Sequence, residues 1–584
     1  MAPSHTSAGT TPLSPRTGDD IRLKHRDADQ ASPPTPVVAV AAAPPMTRRT
    51  VFSYALQCAA FLVLGVPILL LFLQLPRSTS PARLDPILPC GQVAPDAGNG
   101  TECVAFHRSL FPKNFVFGTA TAAYQVEGAA NETGREPSIW DTFSRQPGKI
   151  LDGKTGDVAS DQFHRFLGDI ELMVNMNVDA YRFSIAWPRI MKLGGTTPQV
   201  NQEGVAYYNN LINELLKRGI QPYVTLYHWD IPQSLYEAYG AWIDSKVVND
   251  YAQYAETCFA AFGDRVKHWI TFNEPKSFTV LGYGNGIHAP GRCSDRNICP
   301  AGNSATEPYI AAHNVLLAHA AAVDVYKKKF KAVQGGVVGI SVDAEWAEPL
   351  NDSAADKEAA ERHLLFQLGW FLDPIYRGDY PAVMRTYVGD RLPVFAPSEV
   401  ALLNGSLDFV GLNHYTSRLI SNGTRPENLL TSDNWQDQGV VSSVSRNGTQ
   451  IGNQAASEWL YIVPWGIGKT LVWLTERYQN PQIFVTENGM DDLDDENSSK
   501  PAESFLNDVN RISFYENYMS SVLDAIKNGS DVRGYFAWSM LDNFEWAMGY
   551  TRRFGLIYVD YNNSQQRRLK ESAKWFSRFL TRAM

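Results

Sequence analysis

The amino-acid sequence predicts an α/β fold, a (β/α)8 TIM barrel preceded by a disordered tail and one transmembrane helix. Eight strand-like apolar runs alternate with helix-like stretches, as in parallel sheets. Eight such runs predict a closed barrel. The strand candidates are Phe115 to Gln125, Asp179 to Trp187, Gln221 to Trp229, Val266 to Glu274, Val337 to Trp346, Leu407 to Tyr415, Gln482 to Glu487 and Arg533 to Trp538.

The predicted helices lie between these runs, and each run ends in polar or aromatic residues. Helical patterns cover Gln162 to Asn175, Tyr207 to Arg218, Tyr251 to Phe262 and Tyr515 to Ile526. Active sites of such barrels lie at the carboxyl ends of the strands, so the residues collected there indicate a site rather than scattered polar ends. The strand ends carry Gln125, Arg182, Trp187, His228, Trp229, Asn273, Glu274, Trp346, Asn413, Tyr415, Glu487 and Trp538.

The first hundred residues differ from the rest of the chain. Residues 1–46 lack aromatic residues, and we interpret them as a disordered tail on the cytoplasmic side. The uncharged run Val51 to Leu75 is long enough to span a membrane, which favours a transmembrane signal-anchor helix at residues 47–76 over a cleaved signal sequence or a buried helix. Flanking arginines on both sides leave the orientation open.

Glycosylation motifs and cysteines favour a type II orientation, with a stalk at residues 77–106 and a large luminal or extracellular domain at residues 107–584. All the Asn-X-Ser/Thr motifs follow the apolar run. Close cysteine pairs suit an oxidising compartment. The pairs are Cys90 with Cys103 and Cys293 with Cys299; Cys258 is predicted to be a buried free thiol. The motifs begin at Asn99, Asn131, Asn351, Asn404, Asn422, Asn447, Asn497, Asn528 and Asn562.

Composition narrows the class of ligand. The net charge of -9 argues against a nucleic-acid partner, because phosphate binding requires a basic surface. The 14 Trp and 26 Tyr residues either serve as platforms for sugar rings or belong to an ordinary large core. Metal-ligand spacing and a phosphate-binding glycine loop are both missing from the sequence, so we expect no metal and no organic cofactor.

Two glutamates carry the strongest chemical signal. Glu274 lies in TFNEP and Glu487 in VTENG, each at the end of a short apolar run. Most glutamates are solvated surface charges, but two carboxylates on rigid strand ends match what hydrolysis at a sugar carbon requires.

With these motifs, the chain resembles the family 1 glycoside hydrolases, which are retaining β-glucosidase-like enzymes, from about residue 111 to 579. The motifs that carry the resemblance are FVFGTATAAYQVEGA from Phe115, SIWDTF from Ser138, DAYRFSIAWPRI from Asp179, TLYHWDIPQSL from Thr225, TFNEP, TEPYIAAHN from Thr306, LGWFLDPIYRGDYP from Leu368, DFVGLNHYTS from Asp408, VTENG and WSMLDNFEW from Trp538. The Cys293/Cys299 segment also resembles a disulfide-bridged loop of secreted members; two reduced cysteines are the alternative.

The resemblance implies a role for each matching residue. Glu274 is implied as general acid/base and Glu487 as nucleophile, with Arg182 and Tyr415 lowering the pKa of Glu487. Contacts to the terminal sugar are implied for Gln125, His228, Asn273, Glu545 and Trp546, and stacking beneath the ring for Trp538. Taken alone, His228 and Trp538 are also compatible with ordinary core packing.

The resemblance also limits the substrate. Thioglucosidases carry Gln where this chain has Glu274, so an O-glycoside is expected. A carboxylate at Glu545 disfavours 6-phosphosugars by repulsion. Trp459 matches an aromatic platform for the aglycone, and Phe278, Tyr283 and Trp346 are further candidates to line that opening.

The leading hypothesis is therefore a membrane-anchored exo-β-glucosidase that acts on small β-glucosides, oligosaccharides or glycoconjugates by double displacement. Two alternatives remain open on the same scaffold. One is transglycosylation, in which a sugar acceptor replaces water. The other is a non-catalytic glycan-binding receptor, which the intact glutamates disfavour. Oligomeric state is not predicted by the sequence.

Overall fold

The computed structural model describes residues 106–194, 198–494 and 500–582. Eight parallel strands form one closed barrel in the spatial order β1-β8-β7-β6-β5-β4-β3-β2. The predicted (β/α)8 barrel is therefore confirmed. The strands are β1 (Val116–Ala120), β2 (Ala180–Ser184), β3 (Gln221–Tyr227), β4 (His268–Asn273), β5 (Val337–Asp343), β6 (Phe409–Asn413), β7 (Ile483–Asn488) and β8 (Val532–Trp538).

Helices surround the barrel and follow the strands along the chain. The long ones are α1 (Gln162–Asn175), α2 (Gln202–Lys217), α3 (Lys246–Phe262), α4 (Glu307–Lys329), α5 (Pro464–Arg477), α6 (Val509–Lys527) and α7 (Glu571–Leu580). Between β5 and β6 lie Ala354–Leu364, Leu365–Gly369, Trp370–Arg377, Ala382–Val388, Gly389–Arg391 and Pro397–Leu403. Other short helices are Arg108–Leu110, Ala123–Val126, Ile139–Ser144, Trp187–Ile190, Gln233–Tyr239, Ala241–Ile243, Pro275–Tyr283, Lys331–Gln334, Asn434–Asp437, Ala502–Leu506 and Trp546–Met548.

Shorter strands form small sheets outside the barrel. A three-stranded sheet consists of Trp346–Pro349, Ser417–Asn422 and Val440–Ser443. The remaining strands pair in twos: Met191–Lys192 with Gln199–Val200, Ser445–Arg446 with Thr449–Gln450, Asn453–Gln454 with Tyr461–Ile462, Asp492–Leu493 with Arg552–Arg553, and Ile557–Asp560 with Gln566–Leu569.

Aromatic rings fill the amino-terminal half of the barrel. Tyr223 stacks on His268 with ring centroids 4.0 Å apart and lies 4.9 Å from Phe536. Phe409 and Phe484 meet at 5.2 Å. Because this half is packed solid, the barrel is open only toward the carboxyl ends of its strands, where side chains of a site can face solvent.

Several predicted strands end earlier than expected. β1 stops at Ala120, and Gln125 lies in the short helix Ala123–Val126. β2 stops at Ser184, so Trp187 begins a helix, and Trp346 belongs to the three-stranded sheet rather than to β5. Apolar runs continue past the strands because the loops that follow are themselves buried, which the sequence pattern alone does not distinguish from strand.

Three predicted features belong to the amino-terminal part of the chain. The tail at residues 1–46, the anchor at residues 47–76 and nearly all of the stalk, including Cys90 and Cys103, lie outside the described residues. Within the described part of the chain, no helix has the length and apolar character needed to cross a membrane.

Farther along, Cys293 and Cys299 form a disulfide with an S–S distance of 2.12 Å, and Cys258 is a buried free thiol.

Candidate active site

Glu274 emerges from the carboxyl end of β4 through a tight backbone turn. β4 ends at Asn273, and Pro275 begins the next helix. Glu274 itself adopts the left-handed region, with φ 48° and ψ 62°, which is unusual for a residue with a Cβ. Its amide donates to the carbonyl of Ser341 on β5 at 2.9 Å. This turn directs the carboxyl group over the barrel mouth, and left-handed backbone at such positions is typical of functional sites.

Glu487 is held at both carboxylate oxygens. It lies within β7, where the pairing with β6 is irregular between Val485 and Glu487. Arg182 Nη1 donates to Oε1 at 2.6 Å, and the Tyr415 hydroxyl donates to Oε2 at 2.7 Å. Charge-assisted bonds of this length fix the carboxylate in one orientation and favour its ionised form.

Arg182 connects Glu487 on β7 with Asn273 on β4, across the barrel. It is fully buried, and its Nη2 donates to Asn273 Oδ1 at 2.6 Å. Asn413 Nδ2 donates to the same oxygen at 2.9 Å. Since Asn273 Oδ1 accepts both bonds, the Asn273 amide nitrogen must donate, and it faces His228 Nε2 at 3.0 Å. Donors on β2 and β6 therefore set the orientation of Asn273.

His228 is left with a free donor. Because its Nε2 accepts from Asn273, the ring proton lies on Nδ1, a buried atom with no partner among the described residues. Burial lowers the pKa of His228 well below its usual range, and the nearby Arg182 lowers it further. A neutral imidazole with one unused N–H suits a sugar hydroxyl, because an uncompensated buried donor is otherwise costly.

Asn413 connects the two glutamates. Its Nδ2 donates to Glu274 Oε1 at 2.8 Å, and its Oδ1 accepts from the Thr486 hydroxyl at 2.7 Å. Asn413 also lowers the pKa of Glu487. The sequence marked Asn413 only as a polar strand end, and its bridging position became visible once β6 was placed between β5 and β7.

The two carboxyl groups differ in proton affinity. Burial raises the pKa of Glu274 well above its ordinary value, and the charges of Asp343 and Glu487 raise it further. Burial also raises the pKa of Glu487, while Arg182 and Tyr415 oppose that effect. The expected lowering by these two partners is therefore present, but it does not bring the pKa of Glu487 below its usual value. The difference between the two sites still keeps the proton on Glu274.

The predicted sugar-binding residues collect around one cavity of about 530 Å³. The cavity wall includes both glutamates together with His228, Asn273, Trp538, Glu545 and Trp546, and also Tyr415. Gln125 and Arg182 lie behind this wall. Gln125 Nε2 donates to Glu545 Oε2 at 3.2 Å, while Gln125 Oε1 is buried without a partner in the described part of the chain. Burial raises the pKa of Glu545 well above its ordinary value.

The outer part of the cavity contains one of the four predicted aromatic residues. Trp459 lines it, is 43% exposed, and meets Tyr415 edge to face at 5.8 Å. Phe278 and Tyr283 are buried, and Phe278 packs on Trp242 and Tyr227, so neither lines the cavity. Both residues lie on the helix that follows Glu274, which made them candidates for the cavity opening. Their side chains lie on the face of that helix that packs against the core.

Charged groups on the outer wall were missed by sequence reasoning. Lys276 Nζ pairs with Asp343 Oδ2 at 2.7 Å next to Glu274. Farther out, Glu345 Oε1 lies 3.0 Å from His363 Nε2, and Arg418 Nε lies 3.6 Å from Glu345 Oε2. Although burial raises the pKa of Glu345, His363 and Arg418 hold it at about 2. The side facing the leaving group is therefore charged and internally paired.

Comparisons with known proteins agree with this geometry. The glycosyl hydrolase family 1 model matches residues 107–583. The chain is 54% identical to β-glucosidase 4 of Oryza sativa subsp. japonica over 474 residues, which cover 81% of this chain and 95% of the relative. It is also 54% identical to β-glucosidase 42 of Arabidopsis thaliana, covering 81% and 94% of the two chains.

Comparison with solved structures also identifies β-glucosidases as similar to this chain. A mutant of the rice Os3BGlu6 β-glucosidase in a covalent complex with Glc superposes with a TM-score of 0.80 at 51% identity, covering 82% of this chain and 100% of that one. A β-glucosidase from the fungus Humicola insolens in complex with glucose gives a TM-score of 0.77 at 44% identity, covering 80% and 98%. This chain therefore belongs to glycosyl hydrolase family 1.

Proposed function

We propose that the chain is a retaining exo-β-glucosidase that removes terminal non-reducing β-D-glucosyl residues from oligosaccharides or glycoconjugates. The observation that carries the proposal is the unequal pair of buried carboxyl groups, Glu274 with an elevated pKa and Glu487 bound by Arg182 and Tyr415. The relative that was solved in a covalent complex with Glc supports a glycosyl-enzyme intermediate.

In the first step, Glu487 attacks the anomeric carbon while Glu274 donates its proton to the departing oxygen. The glycosyl ester neutralises Glu487, which removes one of the charges that raise the pKa of Glu274. Glu274 can then act as a base toward water, which attacks the anomeric carbon and releases Glu487. Asn273, oriented by Arg182 and Asn413, faces the position of the sugar 2-hydroxyl, where hydrogen bonds strengthen in the transition state.

The shape of the site favours removal of a single terminal sugar. The contacts assigned to the terminal residue lie at the buried end of the cavity, above the aromatic layer that closes the barrel. Trp459 lies at the exposed end, where the leaving group exits. An acid/base glutamate at position 274 and a carboxylate at Glu545 favour an unphosphorylated O-glycoside.

Alanine variants test this assignment. Glu274→Ala is expected to reduce turnover of aryl β-glucosides by about 10²–10⁴-fold, the range typical of a lost acid–base group. Glu487→Ala removes the nucleophile, so it should abolish turnover by double displacement. Azide should restore activity to the Glu274 variant on substrates with good leaving groups, because it needs no proton removed, and the product should be a β-glucosyl azide. Glu516→Ala, on the exposed face of α6, is the matched control. Near-normal turnover by Glu487→Ala would overturn the assignment.

We also propose that the enzyme is a type II membrane protein whose catalytic domain faces the secretory lumen or the cell exterior. The proposal is supported by the uncharged run Val51–Leu75 and by the restriction of Asn-X-Ser/Thr motifs to the residues after it. The Cys293–Cys299 disulfide is compatible with an oxidising compartment.

A further inference from the structure

A second cavity lies on the outside of the barrel, between α5 and α6. Its volume is about 410 Å³, and its lining combines three tryptophans with polar groups. Trp465, Lys469 and Trp473 follow one another along a single face of α5. Trp346 contributes the third indole from the small sheet beside the barrel. We call this feature the tryptophan groove.

Hydrogen bonds hold two of the three indole rings of the groove. Trp346 Nε1 donates to Glu348 Oε2 at 2.8 Å, and Trp473 Nε1 donates to Glu361 Oε2 at 2.9 Å. Trp465 is 39% exposed. Lys469 Nζ lies over one face of the Trp465 ring and one face of the Trp346 ring, 4.8 and 5.8 Å from their centroids. The indole surface that remains exposed is of the kind on which the apolar faces of sugar rings stack.

One end of the groove is lined by an asparagine of a glycosylation motif. Asn528 follows the last residue of α6 and begins the sequence Asn-Gly-Ser. Its side chain is exposed and has no hydrogen-bond partner in residues 106–194, 198–494 and 500–582. By contrast, the amide groups of Asn351 and Asn422 already bond to Asp356 and Arg362, respectively.

The motif is fixed to the groove by its own residues. The hydroxyls of Ser530 and Thr475 lie 2.9 Å apart, and Thr475 belongs to α5. Asn480 Nδ2, just after α5, donates to the carbonyl of Gly529 at 3.0 Å. Gly529 has a φ of +97°, which a residue with a side chain rarely adopts. Asn528 is therefore held at the rim of the groove rather than on a free loop.

We propose that Asn528 carries an N-linked glycan whose first sugars pack into the tryptophan groove. The proposal rests on the luminal orientation proposed above. Attachment forms a bond between Asn528 Nδ2 and C1 of N-acetylglucosamine. The bond from C1 to a lipid-linked diphosphate breaks, the amide loses one proton, and the lipid diphosphate leaves. Because transfer takes place on the nascent chain, the burial of Ser530 in the folded protein does not prevent it.

The test expresses the full chain in a eukaryotic host, maps glycopeptides by mass spectrometry, and follows glycan release by an amidase from the native protein. Asn562 is the matched control, because it begins an exposed motif in the turn between Ile557–Asp560 and Gln566–Leu569. We expect release at Asn528 to be about tenfold slower than at Asn562, as expected for one stacking contact of about 1.4 kcal/mol. Trp465→Ala should remove this protection and leave release at Asn562 unchanged.

The other outcomes each overturn the proposal in a different way. Occupied motifs elsewhere with an empty Asn528 would refute the glycan while leaving the luminal orientation intact. Equal release rates at Asn528 and Asn562 would refute packing into the groove. If no motif is occupied, the luminal orientation fails together with the glycan, while the catalytic assignment is untouched. Quenching of tryptophan fluorescence by free N-acetylglucosamine in Asn528→Gln, abolished by adding Trp465→Ala, would assign the groove to a free sugar instead.

Discussion

At the scale of single residues, the two glutamates differ in their charged and hydrogen-bonding partners and not in their burial. Both carboxyl groups are buried, so desolvation raises both pKa values. Arg182 and Tyr415 compensate one of them, whereas Asp343 adds a like charge beside the other. Opposite environments for two neighbouring carboxyls are what a double displacement requires.

The Lys276–Asp343 pair offers a sharp test of this account. Asp343 raises the pKa of Glu274 and Lys276 lowers it. Because the proposed role of Glu274 as an acid requires its protonated form, we expect activity to be lost as the pH rises through its pKa. Asp343→Asn should therefore move the basic limb of the kcat/KM profile to lower pH, and Lys276→Met should move it to higher pH. Shifts in the same direction, or none, would contradict the electrostatic account.

The sequence drew attention to residues that lie in distinctive motifs, but it did not reveal contacts that cross between strands. Glu274 and Glu487 were recognisable because each lies in a distinctive strand end. Asp343 also ends a strand, but nothing local indicates that its carboxylate faces Glu274 from the neighbouring one. Lys276 was missed for the same reason, since an isolated lysine after a proline is typical of a solvated surface.

At the scale of elements, close packing between neighbouring strands determines where glycine is required. A Cβ on Gly339 of β5 would come within 2.5 Å of the Phe409 ring on β6. Gly168, in α1, has no neighbouring atom within 4 Å of such a Cβ. The sequence predicted both elements, but it could not distinguish a glycine enclosed by a neighbouring ring from one on an open helix face.

This contrast predicts opposite stability changes for one substitution. Gly339→Ala should lower the free energy of unfolding by about 1–3 kcal/mol, the usual cost of overpacking a core. Gly168→Ala should leave it unchanged or raise it by up to ~1 kcal/mol, because alanine is the better helix former. Urea unfolding followed by tryptophan fluorescence measures both values. A neutral Gly339→Ala variant would mean that the strands are less tightly packed than described.

At the scale of the whole molecule, the two ends of the described domain meet beneath the barrel. Arg108 Nη2 pairs with Asp179 Oδ2 at 2.8 Å, and Arg582 Nη2 lies 3.0 Å from Asp179 Oδ1. Phe106 stacks on Phe579 with ring centroids 5.2 Å apart. Residues near both ends of the described barrel domain therefore contact one another.

Truncation separates the barrel from the proposed anchor. A chain beginning at residue 106 should keep kcat/KM within about twofold of the full chain, since every group that faces the substrate lies within the barrel. It should also be released from membranes by alkaline carbonate, whereas the full chain should remain in the membrane fraction. A chain beginning at residue 112 loses Phe106 and Arg108, and it should unfold at a lower temperature. Release of the full chain by carbonate would contradict the anchor.

The proposed mechanism requires that Glu487 becomes glycosylated during turnover. Incubation with a 2-deoxy-2-fluoro-β-glucoside bearing a good leaving group should add one 2-deoxy-2-fluoroglucosyl unit per chain. The fluorine slows both steps, whereas the good leaving group speeds only the formation of the intermediate, so the intermediate accumulates. Peptide mapping should place the label on Glu487, and Glu487→Gln should remain unlabelled. Correctly folded protein that takes up no label, or a label on another residue, would contradict the account.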